Sequence, residues 1–114
     1  MEPVSAKRFD RIVSDRLLAI PDEIADALDN VVIRVQDDHP DGLLGLYEGT
    51  PLSERETYGT ALELPDIITI YRLPLCEIAS DEADLEREVT VTVIHELAHH
   101  LGIDDARLDE LGWS

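Results

Sequence analysis

Two histidines near the C-terminal end of the chain have the spacing of metal ligands. They lie four residues apart in the segment His95-Glu96-Leu97-Ala98-His99. On a helix of about 3.6 residues per turn, this spacing brings both imidazoles to one face, one turn apart. Both rings can then bind a single metal ion, and the Glu96 carboxylate lies beside the first ring, where it can take a proton from a water at the metal. The pattern predicts a metal centre that activates water.

The residues that follow the second histidine supply a candidate third ligand. Gly102 comes three residues after His99, and Asp105 comes three residues after Gly102. Glycine accepts the left-handed backbone that ends a helix and turns the chain sharply, so a residue just beyond it can return toward the metal. We therefore predict Asp105 as the third ligand, whereas His100 is rotated about 100° around the helix from His99 and is not expected to share the metal. A helix whose histidines are merely solvated is the alternative.

The extended motif resembles the zinc signature of metzincin-type metallopeptidases, in the variant that has aspartate as the third ligand. A longer resemblance, over about residues 31–113, is to the small bacterial zincin-like metallopeptidase family, also called minimal zincins. It is carried by Gly45-Leu46-Tyr47-Glu48-Gly49-x-Pro51-Leu52, by Leu64-Pro65-Asp66-Ile67 and by residues 90–113. Two departures from full metzincins are the aspartate in place of a third histidine and the lack of a Met-turn, since Met1 is the only methionine.

The resemblance implies a fold, a cofactor and an activity. The expected fold class is α+β, a minimal zincin-like fold in which a small mixed β-sheet packs against helices that include the motif helix, with residues 1–114 as one domain. One zinc ion per chain is expected, held by His95, His99 and Asp105, because imidazole nitrogens with one carboxylate suit zinc. The implied activity is peptide-bond hydrolysis with Glu96 as general base. Candidates for a donor to the oxyanion are the three tyrosines, Tyr47, Tyr58 and Tyr71.

Three alternatives to a peptidase remain open from the sequence. Peptide deformylase also uses His-Glu-x-x-His but takes an upstream cysteine as its third ligand, and Cys76 is the one cysteine of this chain. The segment around Cys76 does not resemble the deformylase cysteine motif. The second alternative is a zinc-binding module without turnover, and the third is a protein-interaction domain that keeps a relic of the site.

Composition limits the partners and the environment that we expect. The chain has 114 residues, enough for one modest domain, and a formal net charge of −17 from 9 basic and 26 acidic residues. The negative charge would repel phosphates, so we expect no nucleic-acid partner. The expected partner is a peptide or protein substrate. The acidic charge either serves solubility alone or favours basic peptide segments. No apolar stretch approaches the roughly 20 residues of a membrane helix. With one cysteine and no visible signal peptide, we expect a cytoplasmic protein. We also expect a monomer that does not bind membranes.

Hydrophobic periodicity and capping residues predict the elements that position the motif. Ser5 can cap a first helix that runs to about residue 19, and a short helix follows Pro21. Residues 31–35 are predicted as an interior strand, residues 43–47 and 65–71 as further strands, and residues 72–79 as a turn and short helix. The motif helix is predicted to start after Ser80 or Asp81, and a last helical turn follows Asp104. An apolar stripe should anchor the motif helix in the core, formed by Leu85, Val89, Val93 and Leu97.

Overall fold

The computed structural model describes residues 1–28, 31–49, 65–101 and 105–110. Within these segments it describes all side chains except those of Glu23, Ala27, His99, His100, Leu101, Asp105 and Leu108. Tyr58 therefore lies outside the described residues.

Two helices open the chain where the sequence predicts them. Helix α1 spans Ala6–Leu18, and the Ser5 hydroxyl accepts a hydrogen bond from the Arg8 amide at 3.1 Å, which caps its first turn. Helix α2 spans Asp22–Ala25 and passes directly into a 3₁₀ turn at Asp26–Leu28. The inward face of α1 is fully buried and consists of Phe9, Ile12 and Val13.

A three-stranded mixed sheet follows, with β1 at Val31–Gln36, β2 at Gly45–Glu48 and β3 at Asp66–Tyr71. The strand order is β1-β3-β2, so the last strand in sequence is the central one. It pairs in parallel with β1 and antiparallel with β2.

Strand β1 corrects one expectation, because it lies at an edge of the described sheet and not in its interior. Val31, Ile33 and Val35 are half-buried, whereas every second residue is exposed and Val32 keeps 43% of its surface accessible. A run of β-branched residues fits a half-buried pleated surface as well as a buried one. Arg34, on the exposed face, is the residue that argued against an interior position.

The motif helix is preceded by helix α3 at Arg72–Ile78 and spans Glu82–Leu101 as α4. Asp81 caps α4, because its carboxylate accepts a hydrogen bond from the Asp84 amide at 2.8 Å. The Asp84 carboxylate accepts a hydrogen bond from the Ser80 amide at 2.9 Å, which ties the residue before the cap to the first turn. The chain then continues into helix α5 at Asp105–Glu110.

The core lies between the sheet and the helices, and α4 runs through it. Helix α4 contacts α1, α3, β2 and β3. Its predicted apolar stripe is buried with at most 1% exposure at each position, at Leu85, Val89, Val93 and Leu97. The fold class is therefore α+β, as expected. Among the helices of the described segments, none is both long and apolar enough to cross a bilayer.

Candidate active site

Helix α4 carries the motif without interruption, so residues 95 and 99 lie one turn apart on one helical face. The two residues between Glu96 and His99 point into the core, since Leu97 is 1% and Ala98 is 3% exposed. His95 and Glu96 are half-buried. Because the core fixes the rotation of the helix, His95 and Glu96 are held at the boundary between the core and solvent, where a catalytic metal needs access to water.

Beyond the motif, the long helix ends and a short further helix follows. Helix α4 ends at Leu101, and Asp105 is the first residue of α5. The side chains of His99 and Asp105 lie outside the described set, so the assignment of both as ligands stays a prediction. Among the side chains that are described, no group of three His, Cys, Asp or Glu residues is arranged for a metal ion.

Edge strand β2 passes directly beside the predicted general base. A Cβ placed on Gly45 would lie 3.4 Å from Cγ of Glu96 and 2.6 Å from Cγ2 of Thr92, which precedes Glu96 by one helical turn. Gly45 pairs with Ile70 of β3 on one side, and on its other side no strand of the described sheet pairs with β2. Glu96 therefore stands next to an edge strand of the described sheet.

A buried carboxylate at the start of β3 is a feature that the sequence reasoning missed. Asp66 is only 3% exposed and accepts a hydrogen bond from the Tyr47 hydroxyl of β2. A Cβ on Gly49 would collide with this carboxylate, so the chain leaving β2 packs directly on it. An aspartate placed between Pro65 and an apolar run was the available signal. Because Tyr47 donates to Asp66, the structure uses it to anchor β2 and does not favour it as the oxyanion donor.

Tyr71 is placed away from the face of the sheet that packs on α4. Gly45 faces α4, its partner Ile70 shares that face, and the next residue along β3 points to the opposite one. Tyr71 is buried, and burial together with the charge of Glu48 raises its pKa above the usual value. Its ring meets the edge of His39 at a centroid distance of 5.3 Å. The structure therefore does not favour Tyr71 as a donor at the site.

His39 is held within its own loop. Its Nδ1 accepts a hydrogen bond from the Asp41 amide at 3.0 Å. The ring is partly shielded by Tyr71. These contacts explain the position of His39 without a metal.

Comparison with known families decides the class of the chain. A family model described as zincin-like metallopeptidase matches residues 23–113. The chain belongs to the zincin-like metallopeptidase family. A solved structure, that of a conserved hypothetical protein from Thermo thermophilus, is similar to it, with 26% identity, a TM-score of 0.53, and coverage of 86% of this chain and 94% of that one. No curated protein matches the chain.

Membership of the zincin-like family implies zinc binding, and the residues of the motif fit that metal. Two imidazoles and one carboxylate are a donor set that zinc accepts, with one position left for water. Cys76, the ligand that a deformylase-like site would need, lies in α3 with no exposed surface and packs within the apolar core. No metal-binding group of the described residues includes it. The burial of Cys76 therefore argues against a deformylase-like ligand set, and His95, His99 and Asp105 stay the predicted ligands.

Proposed function

We propose that this zincin-like chain is a zinc-dependent peptidase that hydrolyses peptide bonds with Glu96 as general base. The observation that carries the proposal is the position of Glu96: it follows His95 on a helix fixed by its buried stripe, it is half-buried, and it stands beside the edge strand β2. One carboxylate thus lies beside His95, a proposed metal ligand, and beside the strand edge that we propose as the docking surface for an extended peptide.

His95, His99 and Asp105 are the residues that would hold one zinc ion per chain. When bound at such a site, zinc lowers the pKa of a water toward about 7 and polarises the substrate carbonyl. The Glu96 carboxylate accepts the proton that the attacking water loses and passes it to the leaving amine, which departs as a neutral group. General acid–base catalysis of this kind contributes roughly 10²- to 10⁴-fold in rate.

The outer edge of β2 is the proposed docking strand for the substrate. An extended peptide can add to such an edge through backbone hydrogen bonds, while its alternate side chains meet neighbouring pockets. The proposed partner is therefore a peptide or protein segment. Nucleic acid is not proposed, because the formal net charge of −17 repels phosphates. We propose further that the chain acts as a monomer in the cytoplasm, where the single buried cysteine would stay reduced.

The substitution Glu96→Gln tests the proposal, because it keeps the shape of the side chain and removes its basicity. Zinc content, measured by elemental analysis of protein purified without chelator, should stay at the wild-type value. Cleavage of a mixed peptide library, followed by mass spectrometry, should fall by roughly 10²-fold or more. The matched control is Glu77→Gln, which changes an exposed glutamate on α3 and should leave both readouts unchanged.

Two results would count against the proposed function. Cleavage by Glu96→Gln at the wild-type rate would contradict the role of Glu96. If neither protein cleaves any peptide while both carry zinc, the chain is a zinc-binding module without turnover.

A further inference from the structure

Gly45 lies at a close contact between the edge strand β2 and the motif helix. A Cβ at this position would lie 2.6 Å from Cγ2 of Thr92, 3.3 Å from the carbonyl oxygen of Thr69 and 3.4 Å from Cγ of Glu96. Contacts below 3.0 Å are essentially never made by real Cβ atoms, so a side chain here forces some group to move. The glycine is therefore required by the close approach of β2 and α4.

We propose that Gly45 is a positioning residue for the reaction, because its missing side chain sets the separation between the Glu96 carboxylate and the outer edge of β2. The inference rests on the proposed function and deepens it. Thr92 lies one turn before Glu96 on the same helix. The contact between Gly45 and Thr92 thus sets how near that turn of α4 comes to the strand on which the substrate would lie.

The strand itself is anchored and is not free to move away from the helix. Gly45 is paired with Ile70 in the central strand. Two residues further on, the Tyr47 hydroxyl donates to the buried Asp66, and Gly49 packs on the same carboxylate. A methyl group added at position 45 would therefore press on the opposite side of the contact, where the Thr92 side chain or the helical turn that carries it must give way. That side is the turn of α4 that carries Glu96.

The size of the displacement is large enough to affect a rate. Moving the clashing atoms from 2.6 Å to the 3.4 Å of ordinary contact requires a shift of 3.4 − 2.6 = 0.8 Å. A misplacement of about 1 Å in a catalytic arrangement can cost roughly 10²-fold. Binding through the far edge of β2 does not involve this contact. The shift should therefore lower kcat and leave KM nearly unchanged, the pattern of an interaction used only in the transition state.

Three variants test the proposal on the zinc-loaded protein, with a peptide that the wild type cleaves as the probe. Gly45→Ala should lower kcat about 10- to 100-fold with little change in KM and in zinc content. Thr92→Ser removes only the clashing methyl group, so Gly45→Ala/Thr92→Ser should regain most of the lost rate. The matched control is Gly45→Ala/Thr92→Val, which keeps a branched side chain of the same size and should not regain it.

A second measurement asks whether Gly45 acts through Glu96. Adding Gly45→Ala to Glu96→Gln should cost little further rate, because the group that the glycine positions is already absent. Urea unfolding of the single and double variants at positions 45 and 92 measures the same contact without any assay of activity. It should show that Thr92→Ser relieves the destabilisation caused by Gly45→Ala and that Thr92→Val does not.

The outcomes separate this inference from the proposed function. An inactive wild type overturns the proposed function, and the catalytic role of Gly45 with it. If the wild type is active, three results would overturn the inference and leave the proposed function standing. Gly45→Ala keeps the wild-type kcat, Ser and Val at position 92 restore the rate equally, or the losses from Gly45→Ala and Glu96→Gln simply multiply. If Gly45→Ala does not fold, recovery of folding by Thr92→Ser and not by Thr92→Val supports the proposal, and recovery by neither overturns it.

Discussion

At the scale of single residues, Asp105 and Cys76 distinguish the proposed zinc site from a deformylase-like one. Asp105→Ala removes a proposed ligand. Loss of a residue that only hydrogen-bonds to a metal ligand typically lowers metal affinity roughly 10- to 100-fold, so the zinc affinity of Asp105→Ala should fall by more than that. Cys76→Ala should leave zinc affinity nearly unchanged, because the thiol is enclosed in the apolar core. Competition with a chromogenic zinc chelator measures both affinities.

Asp109→Ala is the control for removing an acidic residue from the same helix, since Asp109 is exposed on α5. It should bind zinc like the wild type. A loss of affinity with Cys76→Ala alone, or equal losses with both Asp105→Ala and Cys76→Ala, would point to the deformylase-like ligand set.

The motif residues of the candidate site could be predicted from the sequence, but the residues that surround them could not. His95, Glu96 and His99 form a local pattern whose geometry follows from the helix alone. The neighbours of that pattern come from distant parts of the chain. Residue spacing does not predict the contact between Gly45 and Glu96, because it depends on how the sheet packs on α4. Nor does it predict the hydrogen bond from Tyr47 to Asp66, because that depends on how the strands pair.

At the scale of elements, helix α4 depends on the start that Asp81 gives it. Asp81→Ala should lower the free energy of unfolding by about 1 kcal/mol, within the range of roughly 0.5–2 kcal/mol for the loss of a capping side chain. The 2.8 Å hydrogen bond from the Asp84 amide is the interaction that disappears. Urea unfolding followed by circular dichroism measures the change.

Asp81→Asn is the matched variant, because the amide oxygen can still accept that hydrogen bond while the charge is lost. It should cost less than Asp81→Ala. Equal losses would show that the charge near the positive end of the helix, and not the cap, carries the stabilisation.

Helices with local sequence signals were predicted well. Features that depend on the topology of the sheet were predicted less well. Ser5, Asp81 and the apolar stripe of α4 are local signals, and the structure confirms the helices that they predict. The edge position of β1 has no such signal. Strand order depends on which partner reaches the centre of the sheet, and β3 takes that place from far along the chain.

At the scale of the whole molecule, the acidic excess opposes compaction. The chain has a formal net charge of −17 on 114 residues. Its acidic side chains lie closer together in the folded chain than in the expanded one, so they repel one another more strongly there. Raising the NaCl concentration from about 0.01 M to 0.15 M shortens the screening length from roughly 30 Å to 8 Å. The melting temperature should therefore rise, by about 4 °C if the gain is near 1 kcal/mol.

The measurement is a thermal melt in the presence of EDTA, so that zinc occupancy does not vary with salt. Choline chloride at equal ionic strength is the control for effects specific to sodium. A melting temperature that stays constant or falls between the two salt concentrations would contradict the argument from self-repulsion.

The order of the strands also has a consequence for how the chain acquires its structure during synthesis. Strands β1 and β2 emerge first but do not pair with each other in the described sheet; each pairs only with β3. Val31 must find Asp66, which lies 66 − 31 = 35 residues further along the chain, so the described sheet contains no pairing that a ribosome-bound fragment ending before residue 66 could form. Assembly of the described sheet is therefore governed by the late arrival of one strand, and non-local pairing of this kind is slow compared with helix formation.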